Sequence, residues 1–520
     1  MKFWLHSVFL QIDVRWCLPS SSEDIKFAGF EQLAVILFFL VVGIFFYRKI
    51  HSKKNLIRPS TKRIDLLQNH FVKKMVHWRY FSFAIRLLPA ILFVFVLITG
   101  IYGRKYTSLA AGFTWLFWWT ILIFFVAFFG KIFCAVCPWD FFANLFEFGW
   151  LHKLKKKTLS LNLKFPKSLA NIYPAMAFFI ILTWLELGFD ITRDSYLTAI
   201  LGFIMVGAAI LFALIYEKRV FCRYVCLVGR ISGLYAQISP IELRKKDDDI
   251  CRTCKTKECI TGTDTTTPCP TFEKPFKLSQ NTYCTLCTEC IRSCQKDNLT
   301  LKARPLGTDL ASIKNSRKDE SILAYVILIL TFFHGITMTK FWYDWMAQIS
   351  QIFHLEHIGS FTILMLLLLT SCFLFLKGVG MLVNKYTSSK KAEIHLVYAF
   401  IPITLGYHLG HNSMHLFVET AYLVPVINDP MGYGWNLFGL SQYMPKPFIN
   451  PDVLRFLQLT VVSIGFYYSV KVLGQRAQQI STQARSKTIM FSTYFALLLA
   501  FGILAIWFIY QPMIMKSTGL

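Results

Sequence analysis

Residues 494–510 read YFALLLAFGILAIWFIY, a run without a single charged side chain. A similar apolar run, Trp115–Gly130, lies nearer the N-terminus. Segments of this length and composition are stable inside a lipid bilayer. Of the 520 residues, 55% are hydrophobic and 16% are charged, whereas soluble domains carry about 25% charged residues. The composition therefore excludes a soluble globular protein and a disordered one.

Over the rest of the sequence, the hydropathy pattern predicts an all-α polytopic membrane protein with ten membrane helices, of which residues 489–510 form the last. Each predicted helix is close to the length of about 20 residues that crosses the hydrocarbon core. The predicted spans are 28–47, 82–102, 111–130, 169–188, 198–216, 321–339, 358–383, 396–423, 453–472 and 489–510.

The basic residues predict how the chain is oriented in the membrane. The net charge is +26, and ten Lys and Arg residues lie in Arg48–Arg79 alone. Basic residues concentrate in cytoplasmic loops of membrane proteins. We therefore expect both termini outside and the basic loops in the cytoplasm, with the protein in the inner (cytoplasmic) membrane. No base-reading module accompanies the positive charge, so a nucleic-acid partner is not expected.

These spans divide the chain into four parts. Residues 1–27 are predicted to form an external N-terminal segment, because Asp13 and Arg15 interrupt the short apolar run that a signal peptide would need. Residues 28–217 form a first five-helix membrane domain and residues 318–520 a second one. Between them, residues 218–317 form a cysteine-rich cytoplasmic insert.

The insert contains a cysteine pattern typical of bacterial ferredoxins. The spacing C-x2-C-x2-C-x3-C, which begins at Cys284, binds 4Fe–4S clusters in those proteins, and its last cysteine belongs to a second cluster. An upstream group of cysteines supplies the remaining ligands. By this crossover rule, one predicted cluster has the ligands Cys269, Cys284, Cys287 and Cys290, and the other has Cys251, Cys254, Cys259 and Cys294. Zinc is the alternative, since paired C-x2-C motifs also form zinc ribbons.

Two further cysteine pairs follow membrane spans. Cys134 and Cys137 come directly after the third span, and Cys222 and Cys226 come after the fifth. Both spans run inward, so both pairs are predicted at the cytoplasmic face beside the insert. Such pairs can hold a metal, form a redox disulfide or remain inert buried thiols.

These motifs resemble the membrane-bound polyferredoxin family that includes NapH, NosR and the CcoG/FixG proteins, over about residues 77–305. The resemblance is carried by Gly130-Lys131-x2-Cys134-x2-Cys137-Pro138, by Cys222-x3-Cys226-x2-Gly229 and by the ferredoxin run. It implies electron transfer at the cytoplasmic face, coupled to a quinone or to a periplasmic partner. Residues 318–520 lie outside the resemblance.

The second membrane domain concentrates histidines on one helix face. His408, His411 and His415 are three and seven residues apart, so they share one face of the eighth span. His334 of the sixth span is predicted at a similar depth. Polar groups inside a membrane are costly and usually functional.

Three roles remain open for these histidines: hydrogen bonds between helices, ligation of haem b, or binding of copper or zinc. For haem, a histidine of the eighth span would pair with His334. Gly406 and Gly410 would then let the macrocycle approach the helix closely. For a small ion, His411 and His415 are the natural pair, because they lie one turn apart.

The sequence therefore predicts a membrane-bound iron–sulfur electron-transfer protein, a component of an oxidoreductase system and not a free-standing enzyme. It would link a quinone or cytoplasmic electron donor or acceptor to a periplasmic redox partner, as in anaerobic nitrogen-oxide respiration. Its expected cofactors are two 4Fe–4S clusters, with haem b as an additional hypothesis. The alternative is a maturation factor that reduces or delivers a metal such as copper to an external oxidoreductase.

Overall fold

The computed structural model describes residues 22–52, 63–148, 159–217, 219–271, 273–314, 316–387 and 389–513. Most of the predicted external segment 1–27 lies outside these residues. Within them, eight helices are long and apolar enough to cross a membrane. The chain is thus a multi-pass membrane protein.

The first half of the chain is helical and includes four of these eight helices. The helices are α1 (Ser22–His51), α2 (His70–His77), α3 (Phe81–Tyr102), α4 (Leu109–Gly112), α5 (Trp119–Phe129), α6 (Ile132–Ala135), α7 (Pro138–Phe148), α8 (Tyr173–Gly188), α9 (Ser195–Ile215) and α10 (Leu227–Tyr235). A π-helical segment, Phe113–Trp118, joins α4 to α5, so the three together form the third predicted span.

The cysteine-rich segment is small and mostly irregular. Its elements are β2 (Ile241–Lys245), α11 (Asp248–Thr253), α12 (Glu258–Thr261), α13 (Glu289–Arg292) and β3 (Leu299–Ala303). The second half contains α14 (Lys318–Thr337), α15 (Lys340–Phe353), α16 (His357–Tyr386), α17 (Ala392–Leu396), α18 (Phe400–Phe417), α19 (Leu423–Asn428), α20 (Pro451–Ile480) and α21 (Ala484–Ile509).

Two of the ten predicted spans are not among the eight long apolar helices. The span predicted at 169–188 is the shorter helix α8, which begins at Tyr173 with Pro174 in its first turn. The span predicted at 396–423 is divided into several pieces, of which α18 is the longest. Its histidines and asparagine lower its hydropathy, and protein surrounds it, since nearly every residue of α18 is buried.

Helix α10 enters the membrane part of the protein instead of leading directly into the insert. All nine of its residues are buried, and it packs against α5, α8, α14 and α18. The boundary predicted at residue 218 therefore moves. The iron–sulfur domain, as the structure shows it, begins at about β2, and residues 219–235 belong with the membrane helices.

The iron–sulfur domain also recruits a segment from far upstream. Strand β1 (Ile64–Asp65) pairs antiparallel with β3, which pairs antiparallel with β2, to give a three-stranded sheet. Leu67 and Val76, from the basic stretch between α1 and α3, pack into the small apolar core of this domain. Residues 63–79 therefore belong to the iron–sulfur domain in space.

The loops gather at two opposite ends of the membrane domain. At the end that carries the iron–sulfur domain, Arg476 Nε donates to the Leu310 carbonyl over 2.6 Å, and Lys487 Nζ donates to the Ile50 carbonyl over 3.1 Å. At the other end, the Arg104 amide donates to Met431 O over 2.8 Å. Within the described part of the chain, the basic stretch 63–79 lies at the iron–sulfur end.

This separation predicts a reporter experiment. An enzyme reporter fused after Lys314 should be active only in the cytoplasm, and one fused after Ser441 only outside, because basic loops stay inside. Compartment-specific reporter activity in intact cells measures both. Activity of both fusions in one compartment would contradict the separation of the loops, and exchanged compartments would reverse the orientation.

Candidate iron–sulfur and metal sites

In the structure, the eight cysteines of the iron–sulfur domain lie in two neighbouring groups. Burial raises the pKa of Cys259 to about 11. Three neighbouring thiols contribute to this rise, those of Cys294, Cys251 and Cys254. Cys294 comes from the downstream motif, so the crossover expected of a ferredoxin is present in the geometry. We call these four residues the outer cysteine group.

The remaining four cysteines line one cavity. Burial raises the pKa of Cys284 and of Cys287 to about 12, and nearby thiols add to the effect. The cavity is walled by these thiols together with Leu243, Pro275 and Leu278. The four cysteines that line it, here called the inner cysteine group, are Cys269, Cys284, Cys287 and Cys290.

The donor set of these residues fits 4Fe–4S clusters. Each group offers four cysteine sulfurs, and the downstream motif has the C-x2-C-x2-C-x3-C spacing that binds cubanes in bacterial ferredoxins. A cubane bound there would supply one-electron chemistry.

Hydrogen bonds donated to the sulfur atoms of the outer group stabilise the anionic, deprotonated form of these thiols. The side chain of Asn298 donates from Nδ2 to Cys251 Sγ over 3.1 Å, and its backbone N–H donates to Cys294 Sγ over 3.4 Å. Donors of this kind stabilise bound thiolates and tune the reduction potential of a cluster. Backbone hydrogen bonding lowers the pKa of Cys254, the most exposed thiol of the outer group.

The two cysteine pairs at the membrane surface meet to form a third group. Helix α5 ends at Phe129. The next residue, Gly130, has a φ of +67° and turns the chain towards Cys134. Burial raises the pKa of Cys226 to about 11, and Cys134 raises it further. Burial likewise raises the pKa of Cys137 and of Cys222, and Cys226 adds to both shifts. The four thiols, here called the membrane cysteine group, thus face one another.

A buried charge network braces the segment that carries Cys134 and Cys137. Arg86 of α3 donates from Nε to the Ala135 carbonyl over 2.7 Å and pairs with Asp140 over 3.2 Å. Its guanidinium lies within electrostatic range of Cys137 and of Cys287. Arg86 therefore stands between the membrane and inner cysteine groups.

The structure brings together three of the four predicted histidines. The ligand nitrogens of His334, His411 and His415 all lie within 4.8 Å of one another, and His411 and His415 are 3.3 Å apart between Nε2 atoms. His408 is separate, because its Nδ1 lies 3.2 Å from the Tyr235 hydroxyl on α10. His408 therefore lies beside α10 and outside the group formed by the other three histidines.

Gly406 and Gly410 serve helix packing. A Cβ atom on Gly406 would lie 2.9 Å from the Val461 carbonyl and 3.1 Å from the Cα of Gly465, so α18 and α20 touch through their backbones here. Gly410 faces Gln458 and Val462 of α20. The reason given for haem, a glycine face open to the macrocycle, is therefore replaced by a helix–helix contact.

The segments of this chain that match a known protein family contain the membrane cysteine group. A 4Fe–4S binding domain family matches residues 111–158 and 198–246. Those segments contain both membrane pairs and end before Cys251. An uncharacterized protein of Methanocaldococcus jannaschii is 27% identical over 190 residues, which cover 35% of this chain and 68% of that protein. No solved structure matches. The matches support a ferredoxin-type iron–sulfur protein.

Sequence reasoning missed several residues that the sites use. Arg86 is one charge in an apolar span, and Tyr235 lies in a segment that the sequence assigned to the insert. Glu419, which touches His415 Nδ1, resembled an ordinary interfacial acid. A charge within a predicted span was the one signal that could have identified Arg86, since such charges are usually functional.

Proposed function

We propose that the protein carries electrons between its iron–sulfur domain and the opposite side of the membrane. The observation that carries this proposal is the succession of three four-cysteine groups: outer, inner and membrane. Cys290 of the inner group lies within electrostatic range of Cys259 of the outer group. Arg86 lies within the same range of the inner and membrane groups. The order leads from an exposed edge to the membrane surface.

The membrane cysteine group would hold a third 4Fe–4S cluster. The segments that match a 4Fe–4S binding domain contain these four cysteines and none of the other eight. Their thiols face one another, since Cys137, Cys222 and Cys226 each lie within electrostatic range of at least one other thiol of the group. The expected content is therefore three clusters, one more than the ferredoxin spacing alone predicts.

Beyond the membrane group, α10 connects the cysteines to the centre of the second membrane domain. Ser232 Oγ of α10 lies 3.9 Å from Cys134 Sγ, and Tyr235 at its C-terminal end contacts His408. Cys226 directly precedes the helix. The nine residues of α10, Leu227–Tyr235, span about 14 Å at 1.5 Å per residue. Aromatic and imidazole side chains thus extend the line of cysteine groups into the bilayer.

The partners follow from this geometry and from the charge pattern. On the cytoplasmic side the donor or acceptor would be a soluble electron carrier at the half-buried outer group, or a quinone at the membrane. On the external side it would be a periplasmic redox protein, as in anaerobic respiration of nitrogen oxides. The protein itself would hold the clusters, insulate them from water and fix their order.

Electron transfer across a membrane can be tested directly in sealed vesicles. Full-length protein, purified without oxygen, would be reconstituted into liposomes that contain trapped ferricyanide, and dithionite would be added outside. We expect protein-dependent bleaching of ferricyanide, because molecules with the iron–sulfur domain outward would conduct electrons inward. Bleaching no faster than in protein-free liposomes, with the clusters still present by electron paramagnetic resonance, would contradict the proposal.

A further inference from the structure

The second membrane domain contains a group of side chains that the line of cysteines does not use. His334 of α14 and His411 and His415 of α18 converge, with His411 buried and the other two half-buried. The ring centres of His334 and His411 are 5.2 Å apart, and those of His411 and His415 are 5.0 Å apart. This group lies in the part of the chain that the family match does not reach.

We propose that His334, His411 and His415 form a binding site for one first-row transition-metal ion. Around a tetrahedral ion with metal–nitrogen bonds of 2.0–2.1 Å, two imidazole nitrogens lie about 3.3 Å apart. The Nε2 atoms of His411 and His415 are 3.3 Å apart. All three ligand nitrogens fall within 4.8 Å of one another, so one ion can reach each of them. Imidazole ligands suit zinc, copper, nickel and iron(II).

Glu419 fixes the tautomer that the site requires. Its carboxylate, 1% exposed, accepts a hydrogen bond from His415 Nδ1. The proton is then held on Nδ1, and Nε2, the nitrogen that faces His411, keeps its lone pair for a metal. Carboxylates in this position orient the histidine ligands of many metal sites and raise their basicity. Glu419 is a positioning residue of the site.

The same geometry argues against haem at these three residues. Two axial ligands of haem lie on opposite faces of the macrocycle, whereas His411 and His415 project from one helix with their Nε2 atoms facing each other. The neighbouring glycine face of α18 is filled by α20. A small ion fits between the three rings without displacing either helix.

The site is far from the iron–sulfur domain. His334 lies sixteen residues beyond Lys318, the first residue of α14, which corresponds to about 24 Å along the helix. The ion would therefore be reached from the end of the protein opposite the clusters. With three protein ligands, a tetrahedral ion keeps a fourth position for water or an exchanging ligand. The site does not rest on the proposed electron-transfer function.

Zinc binding by the full-length protein tests the site. Protein purified without oxygen and treated with a chelator would be titrated with Zn²⁺, desalted and analysed for zinc and iron together. We expect about one zinc per chain above the amount bound by His411→Ala or by His415→Ala. Zinc held by cysteines that have lost a cluster would persist in both variants, so the difference isolates the histidine site.

Matched variants separate ligation from packing. His408→Ala, on the same helix but outside the group, should keep the zinc, and unchanged iron should show that all variants are folded. Glu419→Gln should bind the same amount at saturation with an affinity about 10–100-fold weaker. Equal zinc in the wild type and in His411→Ala, or loss of the same zinc in His408→Ala, would overturn the proposal.

Discussion

Replacing Cys226 by Ala should remove one cluster in three and abolish electron transfer across the membrane. Fully loaded protein is expected to contain about twelve irons per chain, four in each cysteine group. Cys226 is 6% exposed, and its thiol faces those of Cys134 and Cys137. Without it the membrane group has three ligands, and about eight irons should remain. Iron analysis and the ferricyanide assay measure both effects.

The control for this variant is Cys372→Ala. Cys372 is exposed on α16, and among the described residues no other cysteine lies near it in sequence. Its replacement should leave the iron content and the transfer rate unchanged. The electron paramagnetic resonance signals of the outer and inner groups should persist in Cys226→Ala. Twelve irons in that variant, or eight in the wild type, would reduce the membrane group to buried thiols.

The division of the eight ferredoxin cysteines was predictable because it depends on local spacing. A C-x2-C-x2-C turn can wrap its sulfurs around only one cubane, and the last cysteine is carried away by the following residues. Cys294 lies within electrostatic range of Cys259 of the upstream motif. The membrane class was predictable for a similar reason, since each span reveals itself within its own 20 or so residues.

Long-range pairing is what the sequence could not reveal. The contact of β1 with β3 joins Ile64 to Ala303, and two residues of strand have no recognisable pattern of their own. The position of α10 depends on which helices surround it, and the sequence placed the insert directly after the fifth apolar span. Local composition therefore assigned residues 63–79 to a loop and residues 227–235 to the insert.

The histidines show where helical periodicity stops being informative. Offsets of three and seven place His408, His411 and His415 on one face, but a face of this width touches more than one neighbour. His408 meets α10, while His411 and His415 meet α14. Which neighbour each residue faces is a property of the packed bundle. Haem ligation and the maturation function remain predictions that metal and haem analysis would decide.

Replacing Arg86 by Met should destabilise the segment that carries Cys134 and Cys137, and with it the packing of the membrane cysteine group against the inner cysteine group. The side chains of Arg86 and Asp140 are 9% and 7% exposed, so their pairing is shielded from water. Removal of one partner from a buried pair costs about 3–5 kcal/mol. We expect the lower end, about 3 kcal/mol, because Arg219 Nε still lies 3.3 Å from Asp140. Urea-induced loss of cluster absorbance in detergent would measure the change.

The same variant should also disturb the membrane cysteine group, since Arg86 Nε holds the carbonyl of Ala135 between Cys134 and Cys137. Arg86→Lys keeps the charge but cannot reproduce both contacts, because a single ammonium lacks the fork of the guanidinium. Its loss of stability should therefore be intermediate. The matched control is Arg104→Met. Arg104 is exposed and lies two residues beyond the opposite end of α3, so this variant should unfold like the wild type. If Arg86→Met and Arg104→Met unfold at the same urea concentration, the buried network does not stabilise the contact between the two cysteine groups, and other contacts, such as the hydrogen bonds of Arg292 to the carbonyls of Trp78 and Arg79, must attach the domain.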